Sequence, residues 1–325
     1  MPPSKAAGVV KRDDGVEYFA DLLDLIRLPN VYLSQMTSTS PPCYGIRHDV
    51  DHDIDNALLI AEAEAKRGFK STYFLLTPGS YGEAMNYYGS LKDGLIVHDD
   101  TLIDKCKTFL ELGHELGLHN DLVSLALKTK QDPAKLLERE VNFFARNSVT
   151  LVGTAAHGSP LARQLRYNNR EIFRSCIREG WEFGREVVYQ GWAVKLHTLK
   201  LDNYGFKYEA YCLPRDSRLS ESGRHWGGLV AGIRLLDVFA NGFNKGAFRQ
   251  YIARLAPGNG VRALQVLTHP CHWDVFDDEG VKLCRDVTAS RHTRTEQRGK
   301  SREVAPKRSV TRGLMSRLWT RFKRR

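Results

Sequence analysis

The segment Arg47-His48-Asp49-Val50-Asp51-His52-Asp53 holds three carboxylates and two imidazoles within seven residues. If it is extended, Asp49 and Asp51 point to the same side, because side chains alternate along a strand. Two carboxylates that close repel unless one holds a proton, a cation or an arginine. Asp53 is explained as the cap of a following alanine-rich helix. Capping does not explain Asp49 and Asp51 inside an apolar run, so this pair points to a cation site or to acid–base chemistry. Arg47 is expected at the surface; turned inward, it would hold Asp49 ionised.

Three other clusters carry the same residue types: GHELGLHND (113–121), AAHGSP (155–160) and LTHPCHW (267–273). On an extended 115–121, His119 and Asp121 share a face and His114 falls on the other. His119 is therefore the ligand candidate. His157 and His269 each close an apolar run. One such histidine is more often a core residue satisfied by backbone. Four strands that each end in His or Asp are the arrangement expected where α/β proteins place their sites, at the carboxyl ends of the strands.

The elements that must position these residues alternate. Helical spacing of apolar residues predicts helices over 17–28, 54–68, 101–112, 133–146 and 238–255. Strands are predicted over 44–51, 71–77, 115–121, 149–157, 208–213 and 263–269. Alternation of this kind predicts a parallel sheet, open or closed into a barrel. Residues 1–14 are polar and expected to be loose.

The composition is that of a globular enzyme: 325 residues, 42% hydrophobic and 26% charged. A disordered or collagen-like chain is excluded on that ground. No apolar run reaches eighteen residues, and the start has no apolar signal segment, so a cytoplasmic protein is expected. Cys43, Cys106, Cys176, Cys212, Cys271 and Cys284 show no CxxC spacing, which predicts reduced thiols. The net charge of +10 is uneven: residues 285–325 hold 14 basic and 3 acidic residues, and residues 1–284 have a net charge of −1. The body therefore gives no electrostatic reason to expect a nucleic-acid partner.

Beyond residue 286 the hydrophobic pattern is lost, and 287–312 is expected to be a disordered basic linker. In 313–325, Leu314, Met315, Leu318, Trp319 and Phe322 form one helical face opposite Arg317, Arg321 and Lys323. Such a basic amphipathic helix is expected to lie on an anionic membrane surface, which would place the protein peripherally at the inner membrane face. Docking on protein or RNA are the alternatives.

Taken in order, RHDVDHD, STYFLL, GHELGLHND, AAHGSP and LTHPCHW resemble the polysaccharide deacetylase superfamily (NodB-homology, carbohydrate esterase 4), and more closely its WbmS-like branch. The resemblance spans roughly residues 15–280, within a barrel domain expected over 15–286. It implies a distorted (β/α) barrel of about seven strands, a divalent metal, usually zinc, and hydrolysis of N-acetyl groups on sugars. It further implies Asp49 as general base, Asp51 and His119 as metal ligands, and His269 as general acid. The common pattern has a second metal histidine four residues after the first, where this chain has Val123. His157 is then expected as third ligand, since it suits zinc and ends another strand; Asp121 is the other candidate, otherwise placed to bind substrate. The segment 220–226 resembles the branch's acidic and aromatic stretch. There Glu221 would supply a further site group, and Trp226 would either face a sugar ring or pack.

The expected activity is N-deacetylation of a nucleotide- or lipid-linked N-acetyl sugar in surface-polysaccharide assembly. The alternatives are a hydrolase of a non-sugar amide on the same barrel, and an inactive member that binds glycan or lipid.

Overall fold

The computed structural model describes residues 16–39, 42–79, 87–222, 225–230, 233–236, 252, 255 and 261–273. The chain divides into two units, Met1–Cys284 and Arg285–Arg325. The second unit, which holds the expected linker and basic helix, lies outside the described residues. So do residues 1–14 and almost all of the helix expected over 238–255.

Helix α1 (Val16–Leu23) and the short strand β1 (Asn30–Val31) lead into β2 (Cys43–Val50) and α2 (Ile54–Lys66). All eight β2 residues are buried, as expected of a parallel strand covered on both faces. Asp53 adopts a left-handed conformation, and its side chain accepts the Asn56 N–H, so it caps α2 as expected. Strand β3 (Ser71–Leu76) follows, then a hairpin of β4 (Gly89–Lys92) and β5 (Leu95–His98), then α3 (Leu102–Glu111) and β6 (Glu115–Asn120). Two consecutive helices, α4 (Leu122–Thr129) and α5 (Pro133–Arg146), lead to β7 (Leu151–Ala156). After α6 (Pro160–Gln164), the chain makes 3-10 turns and a second hairpin, β8 (Glu186–Tyr189) with β9 (Trp192–Lys195). It returns as β10 (Tyr208–Glu209), β11 (Ser217–Ser222), β12 (His225–Val230), β13 (Ile233–Leu236) and β14 (Ala263–Thr268).

The main sheet runs β10-β7-β6-β3-β2-β14-β11-β12-β13, with β1 beside β2. From β10 to β11, seven strands are parallel, the number expected for the barrel. Closure is not found. The sheet curls into a half-barrel, and among the described residues no pairing joins β10 to β13. Closing a barrel needs edge strands that can pair along their length. Here β10 has two residues, against the six expected over 208–213, and β12 and β13 leave the parallel run as an antiparallel meander.

Helices cover one face of the sheet. Phe109, Phe144, Leu116 and Leu118 pack between them, while Phe19, Tyr44, Ile46 and Trp273 fill the α1–α2 side. Each such side chain contributes about 1.5–3 kcal/mol by leaving water. The other face rests on Leu33, Met36, Phe74, Ala155 and Tyr208. Two paired glycines, Gly117 and Gly153, make room for the aromatic rings there. A Cβ on Gly117 would come within 2.5 Å of the Phe74 ring, and one on Gly153 within 2.6 Å of the Tyr208 ring. The next residues on this face are His119 and Ala155. Among the described residues, no helix is long and apolar enough to cross a membrane.

Candidate metal centre

Parallel alignment brings the carboxyl ends of β2, β6, β7, β11 and β14 to one rim of the sheet. Asp49 is near the end of β2, and Asp51 lies in the bend after it, its N–H bonded to the Asp49 carbonyl at 3.1 Å. His119 is the fifth residue of β6. His157 follows β7, held by its own N–H to the Asn120 carbonyl at 2.8 Å. Here the fold brings together three predicted ligands from three strands: Asp51, His119 and His157 each offer a ligand atom within 4.8 Å of the others.

His119 lies at the middle of the group. Its Nδ1 is 2.9 Å from the Ala155 carbonyl, so Nδ1 carries a hydrogen and donates it. The opposite nitrogen, Nε2, is 3.2 Å from Asp51 Oδ1, 3.1 Å from His157 Nδ1 and 3.6 Å from Asp49 Oδ2. His157 Nδ1 is 3.6 Å from Asp51 Oδ1. A neutral His119 directs a lone pair at a carboxylate and another ring nitrogen, an arrangement that only a proton or a metal cation satisfies. Burial opposes the proton, but the Asp49 and Asp51 carboxylates raise the His119 pKa. Burial and the neighbouring His119 lower His157 to about 4, keeping it neutral, the form in which imidazole binds metal. Asp51 works against its burial: the His119 hydrogen bond and the nearby imidazoles hold it well below the usual carboxylate range. Its side chain is 14% exposed, which leaves the group open on one side.

Arg47 corrects the expectation of a surface residue. It is fully buried, and its Nε and Nη2 donate to Asp49 Oδ1 and Oδ2 at 2.7 Å each. Its guanidinium also lies 4.3 Å from the Tyr211 ring centroid. Burial alone would raise Asp49, but the Arg47 charge and hydrogen bonds lower it, so this carboxylate is ionised.

No family model matches the chain, and no curated protein and no solved structure is significantly similar to it. The site is therefore read from its own geometry.

Asp121 lies outside this group of donors. It is buried just before α4, where its Oδ1 accepts from the Asn169 Nδ2 at 2.8 Å and from the Ser124 hydroxyl. Burial pushes its pKa up to about 6. Beyond β6 the chain turns into α4 at once, and this swings Asp121 out of the strand alternation that put it on the His119 face. Val123 lies inside that helix, buried, with its N–H bonded to Asn169.

His269 and Glu221 meet at the ends of β14 and β11. Glu221 is fully buried and accepts the His269 N–H at 3.1 Å and His272 Nδ1 at 2.8 Å. His269 Nδ1 is 3.0 Å from the Glu221 carbonyl. Burial disfavours a charged His269, but the Glu221 hydrogen bond and the Asp49 and Asp51 charges raise it to about 9. Glu221, despite burial, is lowered to about 2 by His269 and His272. Its carboxylate is thus taken up by His269 and His272. Trp226 sits on β12 opposite Glu221; its side chain lies outside the described residues.

Sequence reasoning missed Asn169. Its Oδ1 accepts the Val123 N–H at 3.0 Å, and its Nδ2 donates to Asp121 and to the His157 carbonyl, both at 2.8 Å. It ties the start of α4 to the loop that carries His157. Nothing local marks it, because its partners lie 12 to 48 residues away.

Proposed function

We propose that the protein is a metal-dependent hydrolase that removes the acetyl group from an N-acetyl sugar. The observation that carries this reading is the convergence on His119 Nε2 of Asp51, His157 and Asp49, with His269 charged nearby. The donor set of two nitrogens and one carboxylate suits zinc. A divalent cation held by Asp51, His119 and His157 would supply an electrophile for the amide carbonyl and acidify the attacking water. Asp49, kept ionised by Arg47, accepts the water's proton. His269 has Nδ1 turned to Glu221, which leaves Nε2 to protonate the departing nitrogen; an amine is a poor leaving group without that proton. Asp51, partly exposed, marks the side from which substrate enters.

The sugar is supported by the order of the motifs, which resembles the polysaccharide deacetylases. The absence of a histidine at position 123 is offset by His157. Acetate release from a panel of free, nucleotide-linked and lipid-linked N-acetyl sugars tests the reading. Release that requires bound metal and is lost in Asp51→Asn supports it. Release from non-sugar amides alone would move the activity to another substrate class. A metal-loaded protein that releases no acetate from any of them would sink it.

A further inference from the structure

Two further groups of donors lie outside the Asp51 centre: Glu221 with His269 and His272, described above, and Cys176 with Glu209 and Cys212. Cys176 ends the 3-10 turn Arg174–Cys176, Glu209 is the second residue of β10, and Cys212 follows three residues later. Their two sulfurs and one carboxylate oxygen all lie within 4.8 Å of one another. The geometry points to a structural site for a thiophilic divalent cation, zinc foremost, held by Cys176, Glu209 and Cys212.

The distances suit it. Zinc–sulfur bonds of about 2.3 Å and zinc–oxygen bonds of about 2.0–2.2 Å place tetrahedral donors about 3.6–3.8 Å apart. The three groups would draw together by roughly 1 Å at most. Cys176 and Glu209 are buried and Cys212 is exposed, so the ion has a way in, and a water can take the fourth position.

The charge suits it as well. Glu209 is 1% exposed, and its two oxygens accept the N–H groups of Ala156 at 3.0 Å and Tyr211 at 2.8 Å. Among the described residues no cationic side chain forms an ion pair with it; Arg47 and Arg170 act on it only from a distance. A buried carboxylate without a counter-ion is unfavourable, and a divalent cation between it and two thiolates removes that penalty. Both cysteines are free thiols. Coordination releases both thiol protons to solvent.

The site has a mechanical role. Strand β10 is a two-residue edge, weak by pairing alone. The ion would join it to the Arg174–Cys176 turn in the long excursion between β7 and β10. Through the Glu209 bond to Ala156, the same staple braces the residue next to His157.

Cobalt(II) added to the reduced, metal-stripped full chain tests this independently of the catalytic reading. Thiolate-to-cobalt charge-transfer absorption is expected in the wild type. It should be lost in Cys212→Ser, whose exposed side chain can be changed without disturbing the core. It should persist in Asp51→Asn and in Cys271→Ser. Zinc content should fall by about one equivalent in Cys212→Ser. No charge-transfer band in the reduced wild type, or a band that survives Cys212→Ser, would overturn the inference. Loss of the band in Asp51→Asn would overturn it too, by placing the sulfur at the other centre. A failure of acetate release leaves these spectra unaffected, and absent spectra leave the Asp51 centre intact.

Discussion

Arg47 and Asp49 form a forked ion pair inside the sheet, Nε to Oδ1 and Nη2 to Oδ2 at 2.7 Å each, with neither side chain more than 3% exposed. Breaking a buried pair by removing one partner leaves an uncompensated charge and costs about 3–5 kcal/mol. Arg47→Met and Asp49→Leu should each lower the free energy of unfolding by about that amount. The double variant should be the milder change, because it leaves no charge behind. Denaturant titration of the three variants checks this. Additive losses would mean that the two groups do not act as a pair.

Third-ligand assignment separates two residues that the sequence left open. His157→Ala should lower zinc affinity by well over the 10–100-fold typical of residues that only orient a ligand. Asp121→Asn should keep the metal, because Asp121 bonds Asn169 and Ser124 instead. Equilibrium dialysis against zinc measures both. Metal loss in Asp121→Asn with retention in His157→Ala would reverse the assignment.

Asn169→Ala should act on the centre without touching it. The change frees the His157 carbonyl, Asp121 and the Val123 N–H at once. Loss of a helix cap alone costs about 1 kcal/mol. Zinc affinity should fall about 10–100-fold, as for other groups that orient a ligand. Thermal unfolding and metal titration report the two effects separately. An unchanged affinity in a destabilised protein would confine Asn169 to capping.

The pH profile should carry the mark of Glu221. His269 donates only when protonated, and its pKa is raised to about 9. The acid form is therefore complete well below pH 9, and kcat should fall as pH rises through that value. Glu221→Gln removes the charged partner, worth about 1.5–3 kcal/mol, and should move the high-pH limb down by about 1–2 units. Metal held by the Asp51 group should not change, since Glu221 lies outside it and meets His269 and His272 in a separate set of possible donors. A high-pH limb that stays in place would assign it to another group.

Much of the site was legible before any coordinates. Alternation along a strand set Asp49 on one side of 44–51, and capping separated Asp53 from it. The end-of-strand positions of His119, His157 and His269 followed from where each apolar run stops. Helix α5 was readable to the residue, because Pro133 opens it and its apolar face repeats at helical spacing. Local interactions decide such features, and the sequence states local interactions directly. Helix α4 escaped: LVSLALKT is apolar on too many sides to show a face, and its cap, Asn169, comes from far along the chain.

What the tertiary structure alone decided are the relations between strands distant in sequence. Arg47 was expected outside and lies inside, because Tyr211, from 164 residues on, covers its guanidinium and Asp49 receives it. Asp121 left the His119 face because the chain turns into α4 one residue earlier than strand alternation assumed. The expected barrel stays open, since a two-residue β10 has too few backbone groups to close it. The sequence alone marked Asp51, His119 and His157 as cation candidates at or just past strand ends, but not Cys176, Glu209 and Cys212. Which candidates meet depended on the register between β2, β6 and β7, set by packing between the sheet and the elements that cover it, and no single segment contains that information.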